Sequence, residues 1–586
     1  MLFGKHINKY YLIFSWALLI GIVALILVDV AQLKIPEIYS AIIDGLNGEG
    51  TPLTETMLLS FCKELFIVIA IMVSGRMLWR ICFYGSAVQT SKLLRKRMFN
   101  HAKDLPQEYY SKNKVGGLMS LFTNDINTIQ ECFGDGVLYL FDALGLGTLA
   151  IYKMFKLNST LAMLSLIPLV LLIINGVIVG GYMKKKWRNR QEVFSELSDF
   201  SQESFSGISV IKAFTKEFKE LWAFKKLNKD NENANIEFVK ASTLLHILIT
   251  LLVQSVMCLI LGYGGYIIYK GLNESFTIGK LIEFMSYFNS CIWPMMAVSM
   301  LIDLMSRGKA SLERVNEFLN YKNNIYDKDV LDVQDIKGNI EFKNLTFKYP
   351  NSDVEVLKNI SFKINAGENI GIIGKTGAGK TTLVDLILRL YNVEDNTIYI
   401  DGIDINKIPI KTIRNYSAYV PQDNFLFSDT IESNIAFAYE EINKEDVIKA
   451  SKLADVHDNI IDFEKGYETV LGERGVTISG GQKQRTSIAR ALIKDSSILI
   501  LDDSVSAVDT KTEQVILDNI KKTRKGKTTI LIAHRVSTIK NLDKILFIEN
   551  GEVLGFGTHD ELYNSLENYR NLVNLQKLEE EKGGNE

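Results

Sequence analysis

The segment Gly374-Lys375-Thr376-Gly377-Ala378-Gly379-Lys380-Thr381-Thr382 brings together glycines, one terminal lysine and a pair of hydroxyl side chains. Glycines let consecutive backbone N–H groups wrap an anion, and a helix that starts at such a loop adds a favourable dipole. The spacing matches GxxxxGK[ST] and has the required surroundings: a strand-like run, Asn369 to Ile373, before it and an apolar helical pattern, Leu383 to Leu390, after it. Lys380 is placed for the β- and γ-phosphates and Thr381 for a Mg²⁺ ion. The chain is therefore expected to bind a nucleoside triphosphate.

A second chemical centre follows at Ile498 to Asp509. Four apolar residues, Ile498 to Leu501, predict a short buried strand that delivers Asp502 to its C-terminal edge, where open α/β sheets place ligands. Asp502 is expected on the metal side of the nucleotide. Asp503 occupies the position from which a carboxylate could address an attacking water. Between the two centres lies Thr477-Ile478-Ser479-Gly480-Gly481-Gln482, again small residues ahead of a helical pattern, Thr486 to Ile493. One phosphate tail does not need two cradles, so the second is read as serving a nucleotide held by another subunit.

The elements that position these groups occupy only part of the 586 residues, a length that suggests three or four structural units at about 150 residues each. Apolar residues, 47% overall, crowd into the first 305 positions, and the remainder mixes charge with strand and helix patterns. We divide the chain into a transmembrane domain (1–305), a charged connector (306–338), an α/β nucleotide-binding domain (339–575) and a tail (576–586) expected to lack order. A formal net charge of −2 argues against a nucleic-acid partner. The five cysteines, Cys62, Cys82, Cys132, Cys258 and Cys291, lack CxxC spacing and read as apolar fillers. Lys5 and Lys9 precede the first apolar run without a small-residue cleavage site after it, which predicts a retained helix rather than a removable signal.

Six membrane spans are expected, at about 11–28, 57–86, 133–156, 158–182, 242–269 and 281–302. Residues 35 to 62 contain no Lys or Arg, whereas Lys92, Arg95, Lys96, Arg97, Lys103, Lys112 and Lys114, and later Lys184, Lys185, Lys186, Arg188 and Arg190, mark two long cytoplasmic connections. The N-terminus and the nucleotide-binding domain are thus expected in the cytoplasm and the chain in the cell membrane. Charges inside spans are costly. Arg76 and Arg80 suit snorkelling to the headgroups or, for Arg76, pairing with Asp142. Glu283, followed by Phe284, Met285, Tyr287, Phe288 and Trp293, suits either helix packing or an apolar or cationic ligand.

The motifs taken together resemble the series of the ATP-binding cassette (ABC) ATPases: Tyr349 within FKYP, the P-loop, Gln422 within YVPQD, Glu473 within LGERG, ISGGQ, Ser506-Ala507-Val508-Asp509 and His534 within IAHR. The order, membrane domain first, resembles an ABC half-transporter of the exporter type. Glu108-Tyr109-Tyr110 to Thr123-Asn124-Asp125 and Ser206-Gly207-Ile208 to Glu217 resemble that family's two cytoplasmic loops. The resemblance implies that Tyr349 stacks on adenine, that Gln422 senses Mg²⁺ and the γ-phosphate, that His534 holds the γ-phosphate and that Asp509 crosses a dimer interface. It further implies that Ser479, Gly480, Gly481 and Gln482 close on a partner's ATP and that Glu473 contacts the cytoplasmic loops.

One position departs from the family pattern, which has glutamate after the Mg²⁺-side aspartate, where this chain has Asp503. Its carboxylate is about 1.5 Å shorter, and errors of about 1 Å in a water-positioning group can cost a hundredfold. We expect ATP and Mg²⁺ to bind here without efficient hydrolysis. An intact ISGGQ then finds a use if the chain pairs with a different half-transporter that carries the glutamate. The expected function is efflux of multiple drugs or other small amphipathic compounds by such a heterodimer, with membrane lipid as a further partner; a homodimeric lipid or peptide exporter and a nucleotide-gated channel or sensor are the alternatives.

Overall fold

The computed structural model describes residues 4–48, 53–350, 352–472, 475, 477–506 and 508–583, with 169–180 and 579–583 described as backbone alone. The chain divides into two compact units, Met1–His101 with Gly116–Asn320, and Ala102–Val115 with Tyr321–Glu586.

The first unit is helical. Among the described residues five stretches are long and apolar enough to cross a membrane: Ser15–Leu46, Glu55–Asp104, Val115–Leu157, Glu217–Tyr269 and Ile278–Asn320. Hydrocarbon offers no partner for backbone N–H and C=O groups, so a spanning segment must satisfy them internally as a helix does. The expected fourth span lies on the helix Ser159–Ser206, whose first turn is capped by Asn158, its Oδ1 accepting the Leu161 N–H at 2.9 Å; much of that span falls on residues 169–180. The expected first span is broken, because a short helix Asn8–Ile13 ends at Phe14 and a new helix starts at Ser15. The helices outrun the membrane: 53 residues in Glu217–Tyr269 amount to about 80 Å at 1.5 Å per residue, against a hydrocarbon layer of about 30 Å. Most basic residues of the two long connections lie on such extensions, Lys92 to Lys103 on Glu55–Asp104 and Lys184 to Arg190 on Ser159–Ser206. Ile126–Leu157 packs along Ile278–Asn320, and Ser159–Ser206 along Glu217–Tyr269.

Several sequence expectations resolve here. Glu283 is buried and satisfied, pairing with Lys280 at 2.7 Å and accepting the Tyr287 hydroxyl at 2.8 Å. Phe284, Tyr287 and Phe288 are core residues, so packing explains this part of the stripe. Arg76 does not pair with Asp142: its guanidinium reaches the Gln32 carbonyl at 3.4 Å, and Asp142 instead accepts the Trp293 indole N–H. Asp125 of the Thr123-Asn124-Asp125 motif is buried against Arg314, closing a turn of π-helix at Leu121–Asp125. All five cysteines are free, with Cys82, Cys132 and Cys291 buried as apolar fillers would be.

The second unit is α/β. Its strands are β1 Ile340–Lys348, β2 Glu355–Ile364, β3 Asn369–Ile373, β4 Ile398–Ile400, β5 Ile403–Asp404, β6 Ser417–Val420, β7 Ile498–Asp502, β8 Thr528–Ile532, β9 Lys544–Glu549 and β10 Glu552–Gly557. Two sheets result, an antiparallel β2-β1-β4-β5 and a larger β10-β9-β3-β8-β7-β6 in which only β10 runs against its neighbour. Every residue of β7 and β8 is buried, as parallel strands covered on both faces must be. The helix Glu567–Gly583 continues into the tail as far as residue 583, and its core residues, Tyr569 and Val573, precede the tail.

Candidate nucleotide site

Parallel pairing of β3 with β8, and of β8 with β7, brings the ends of these strands together at one edge. The P-loop leaves β3 there. Its helix begins at Lys380 and ends at Ile387, earlier at both ends than the apolar run suggested, because the lysine and threonines themselves form the first turn. Gly379 precedes it with a φ of 96°, where a Cβ would lie 2.6 Å from Leu357 Cδ2; glycine alone fits such a place. Lys380 is buried, and its Nζ donates to the carbonyls of Gly374 at 2.8 Å and Lys375 at 3.0 Å. These carbonyls hold the ammonium until phosphate oxygens replace them. Burial lowers the Lys380 pKa. Lys375 faces away onto Glu549 at 2.8 Å, while Thr376 and Gly377 are exposed on the loop and Ala378 is buried beneath it.

β7 ends at Asp502, which is 1% exposed and whose Oδ2 has no hydrogen-bond partner. An orphaned carboxylate oxygen costs about 1–3 kcal/mol, and burial raises the Asp502 pKa although the Thr381 hydroxyl beside it acts the other way. A cation at this point would relieve the cost. Asp502 and Thr381 therefore fit Mg²⁺, and the glycine cradle with Lys380 fits the phosphates of ATP.

Asp503 has a left-handed backbone, φ 46°. Its N–H donates to Ile532 O at 3.0 Å, and its carbonyl accepts from Gln484 Nε2 at 3.2 Å and Ser506 Oγ at 3.0 Å. This backbone clamp aims the carboxylate toward His534, whose Nε2 lies 3.9 Å from Asp503 Oδ2. His534 follows β8, and its loop is held from the tail: Gln576 Nε2 donates to His534 O at 2.7 Å, and Gln576 Oε1 accepts the Val536 N–H at 2.8 Å. Gln422 is exposed and lines, with Phe425, Gly480, Lys483 and Asp503, a cavity of about 710 Å³.

The second cradle is a helix N-terminus as read, but the helix starts at Gly480 rather than at Thr486. Ser479 Oγ accepts the Gln482 N–H at 3.2 Å, and Gln482 Oε1 accepts the Ser479 N–H at 3.0 Å, a capping box. Gly480 and Gly481 hold its first turn open. Asp509 caps the helix Thr510–Thr523, accepting from Lys511 N at 3.1 Å and Thr512 N at 3.0 Å, and these bonds keep its carboxyl below the usual range. Tyr349 lies against the P-loop helix, its hydroxyl 2.8 Å from Thr382 Oγ1 and its ring edge-on to Phe347 and Tyr391. Lys380, Thr381, Asp502, Asp503 and His534 are thus gathered at one edge, with Tyr349 beside Thr382, whereas the Ser479–Gln482 turn borders the cavity at Asp503 and not the P-loop. Glu473 and Ala507 lie outside the described residues.

Three participants were not singled out from sequence. Gln484 stands four residues beyond Gly480, one helical turn on, and Asp385 four beyond Thr381; that spacing is the signal for a shared helix face. Asp385 is pushed up to about 6 by burial and by the neighbouring Asp502. Gln576 carried no local signal, since only tertiary folding brings it to His534.

Comparison with known proteins agrees with this geometry. Residues 18–295 match the family model described as ABC transporter transmembrane region, and 357–506 the one described as ABC transporter. The probable multidrug resistance ABC transporter ATP-binding/permease protein YheI of Bacillus subtilis is 35% identical over 98% of this chain and 97% of its own length. The multidrug resistance-like ATP-binding protein MdlA of Escherichia coli is 32% identical over 96% and 95%, and an ATP-dependent lipid A-core flippase of Syntrophus aciditrophicus 34% over 86% and 84%. The structure of a bacterial Atm1-family ABC exporter with ATP bound superposes with a TM-score of 0.75 at 24% identity, covering 97% of this chain and 98% of the other, a likeness of fold.

Proposed function

Because the chain belongs to the ABC exporters that fuse a transmembrane region to an ATP-binding cassette, we propose that it is the slow-site half of a heterodimeric pump for small amphipathic compounds. It is a multi-pass membrane protein whose cassette is an ATPase coupled to transport. The observation that carries the finer reading is Asp503, a short carboxylate 3.9 Å from His534 at the position where this family has glutamate, in a chain whose Ser479–Gln482 turn is fully formed.

In this reading Lys380 and the P-loop N–H groups bind the phosphates of ATP, Tyr349 flanks the adenine, and Thr381, Asp502 and Gln422 would hold Mg²⁺. The ion, when bound, would supply positive charge against the phosphates. His534 holds the γ-phosphate, and Asp503 reaches the water poorly. Ser479, Gly480, Gly481 and Gln482 complete the partner's site, across an interface that Asp509 approaches. ATP binds the closed pair of cassettes better than the open pair, and that difference drives the membrane segments between inward and outward states. The helix Ser159–Ser206 supplies the fourth of six spans, and the N-terminus and cassette face the cytoplasm.

Co-expression with a half-transporter that carries glutamate at the equivalent position tests this. The pair is expected to copurify in equal amounts and to hydrolyse ATP at least about tenfold faster than this chain alone. Fast Mg²⁺-dependent hydrolysis by the chain alone, abolished by Asp503→Asn, would sink the heterodimer.

A further inference from the structure

The helix Glu567–Gly583 reaches both the P-loop and the loop that carries His534. Near its start Asn568 Nδ2 donates to Glu549 Oε2 at 3.0 Å, and Glu549 Oε1 accepts the Lys375 ammonium of the P-loop at 2.8 Å. Further along, by about 12 Å of helix axis, the Gln576 side chain spans the loop after β8, donating to His534 O at 2.7 Å and accepting from Val536 N at 2.8 Å. Tyr569, Val573 and Gln576 follow one another at the four- and three-residue steps of a single helical face. Tyr569 is fully buried, its ring edge-on to Phe547 of β9 at 5.6 Å and its hydroxyl 2.9 Å from His559 Nδ1, and Val573 is buried as well. The core therefore fixes the face that carries the Gln576 amide.

His534 depends on such support. Its side chain is 41% exposed, and Asp503 Oδ2 stands 3.9 Å from its Nε2, too far for a hydrogen bond. Without that bond the ring is aimed by its backbone. On one side of the ring Ala533 N donates to Ile372 O at 3.1 Å, which ties the loop to β3. On the other side stand the two bonds of Gln576. A planar amide that donates to one peptide and accepts from another fixes the direction of both.

We propose that Gln576 is a positioning residue for His534, and that through it the C-terminal helix sets the preference of this site for ATP over ADP. The γ-phosphate is the group that distinguishes the two nucleotides, and the proposal rests on the reading of His534 as the residue that holds it. The Asn568 arm acts differently. It ends on the P-loop, whose N–H groups serve phosphates that ATP and ADP share, so it contributes to both nucleotides alike.

The test is equilibrium binding of ADP and of adenosine 5′-(β,γ-imido)triphosphate, each with Mg²⁺, to the full chain in lipid nanodiscs. Gln576→Met keeps the length of the side chain and removes both bonds. It is expected to weaken the triphosphate at least about fivefold and ADP by less than about twofold. His534→Ala is expected to show the same selective loss. Asn568→Ala, which disturbs the same helix, is expected to weaken both nucleotides equally and by no more than about fivefold, because exposed charged contacts are weak. ADP binding serves as the folding control. A selective loss in His534→Ala with the wild-type ratio kept in Gln576→Met overturns this proposal and leaves the reading of His534 standing. Absence of a selective loss in His534→Ala sinks that reading and the proposal with it. An equal loss of both nucleotides in Gln576→Met, or the same selective loss in Asn568→Ala, would assign the effect to the stability of the helix and also refute the proposal.

Discussion

Replacing Asp503 by glutamate tests the nucleotide site most directly, because its two expected effects have opposite signs. The Asp503 carboxylate stops 3.9 Å from His534 Nε2, beyond the roughly 3.2 Å limit of a working hydrogen bond. One methylene advances the carboxylate by about 1.5 Å, enough to bring a water between it and the γ-phosphate within reach, and a misplacement of about 1 Å is worth about a hundredfold. Turnover at this site should therefore rise about a hundredfold, ~2.7 kcal/mol in barrier. The backbone at 503 is left-handed, with φ 46°, a conformation that aspartate tolerates through local hydrogen bonding and glutamate does not. Asp503→Glu should thus destabilise the cassette by roughly 1 kcal/mol while accelerating hydrolysis. The assay is single-turnover hydrolysis of γ-labelled ATP by two copies of the chain in one nanodisc, with the melting transition of the cassette read alongside. An unchanged rate in a variant that still binds ATP would refute the reasoning, since reach would then not be the limiting quantity.

Two other outcomes follow from the same edge of the sheet. Asp385 has a folded-state pKa raised from 3.8 to about 6, so its contribution to stability is present below about pH 4 and is lost as pH rises through 6. Asp385→Asn should leave nucleotide-free stability unchanged at pH 4 and raise it at pH 7.5 by about 3 kcal/mol, at ~1.4 kcal/mol per unit; urea unfolding at the two pH values measures this, and an equal effect at both contradicts it. Gln576→Ala removes both bonds to the His534 loop, a local loss of about 1–3 kcal/mol. Amide exchange at residues 533–537 should then accelerate at least about tenfold, and exchange at the wild-type rate would show that the loop stands without the clamp.

The nucleotide edge was legible in the sequence because its chemistry is local. A glycine spacing, an apolar run and a carboxylate at its end are short-range patterns, and β3, β7 and Asp502 stand where those patterns placed them. Helix starts were read late at both cradles, since Lys380 and Gly480 belong to the first turns, where polar residues interrupt the apolar periodicity on which the reading relied. The membrane charges were harder. Periodicity cannot say which helix faces which, so Arg76 was offered Asp142, while the fold gave that carboxylate to Trp293, far along the chain. The same limit hid Gln576, which reaches the His534 loop only through the tertiary fold.

The stretch Ala102–Val115 belongs to the compact unit of the cassette although more than two hundred residues separate it from β1 in the chain. Tyr109, on its helix Gln107–Lys112, is buried and meets Tyr321 with ring centroids 4.7 Å apart. Physical and linear boundaries therefore differ, and a soluble fragment cut at residue 339 would lose both rings of that contact together with the surface they cover. Such a fragment should be stickier and less stable than the same cassette within the whole chain, and a synthetic peptide spanning 102–115 would be a natural ligand for a fragment begun at residue 321.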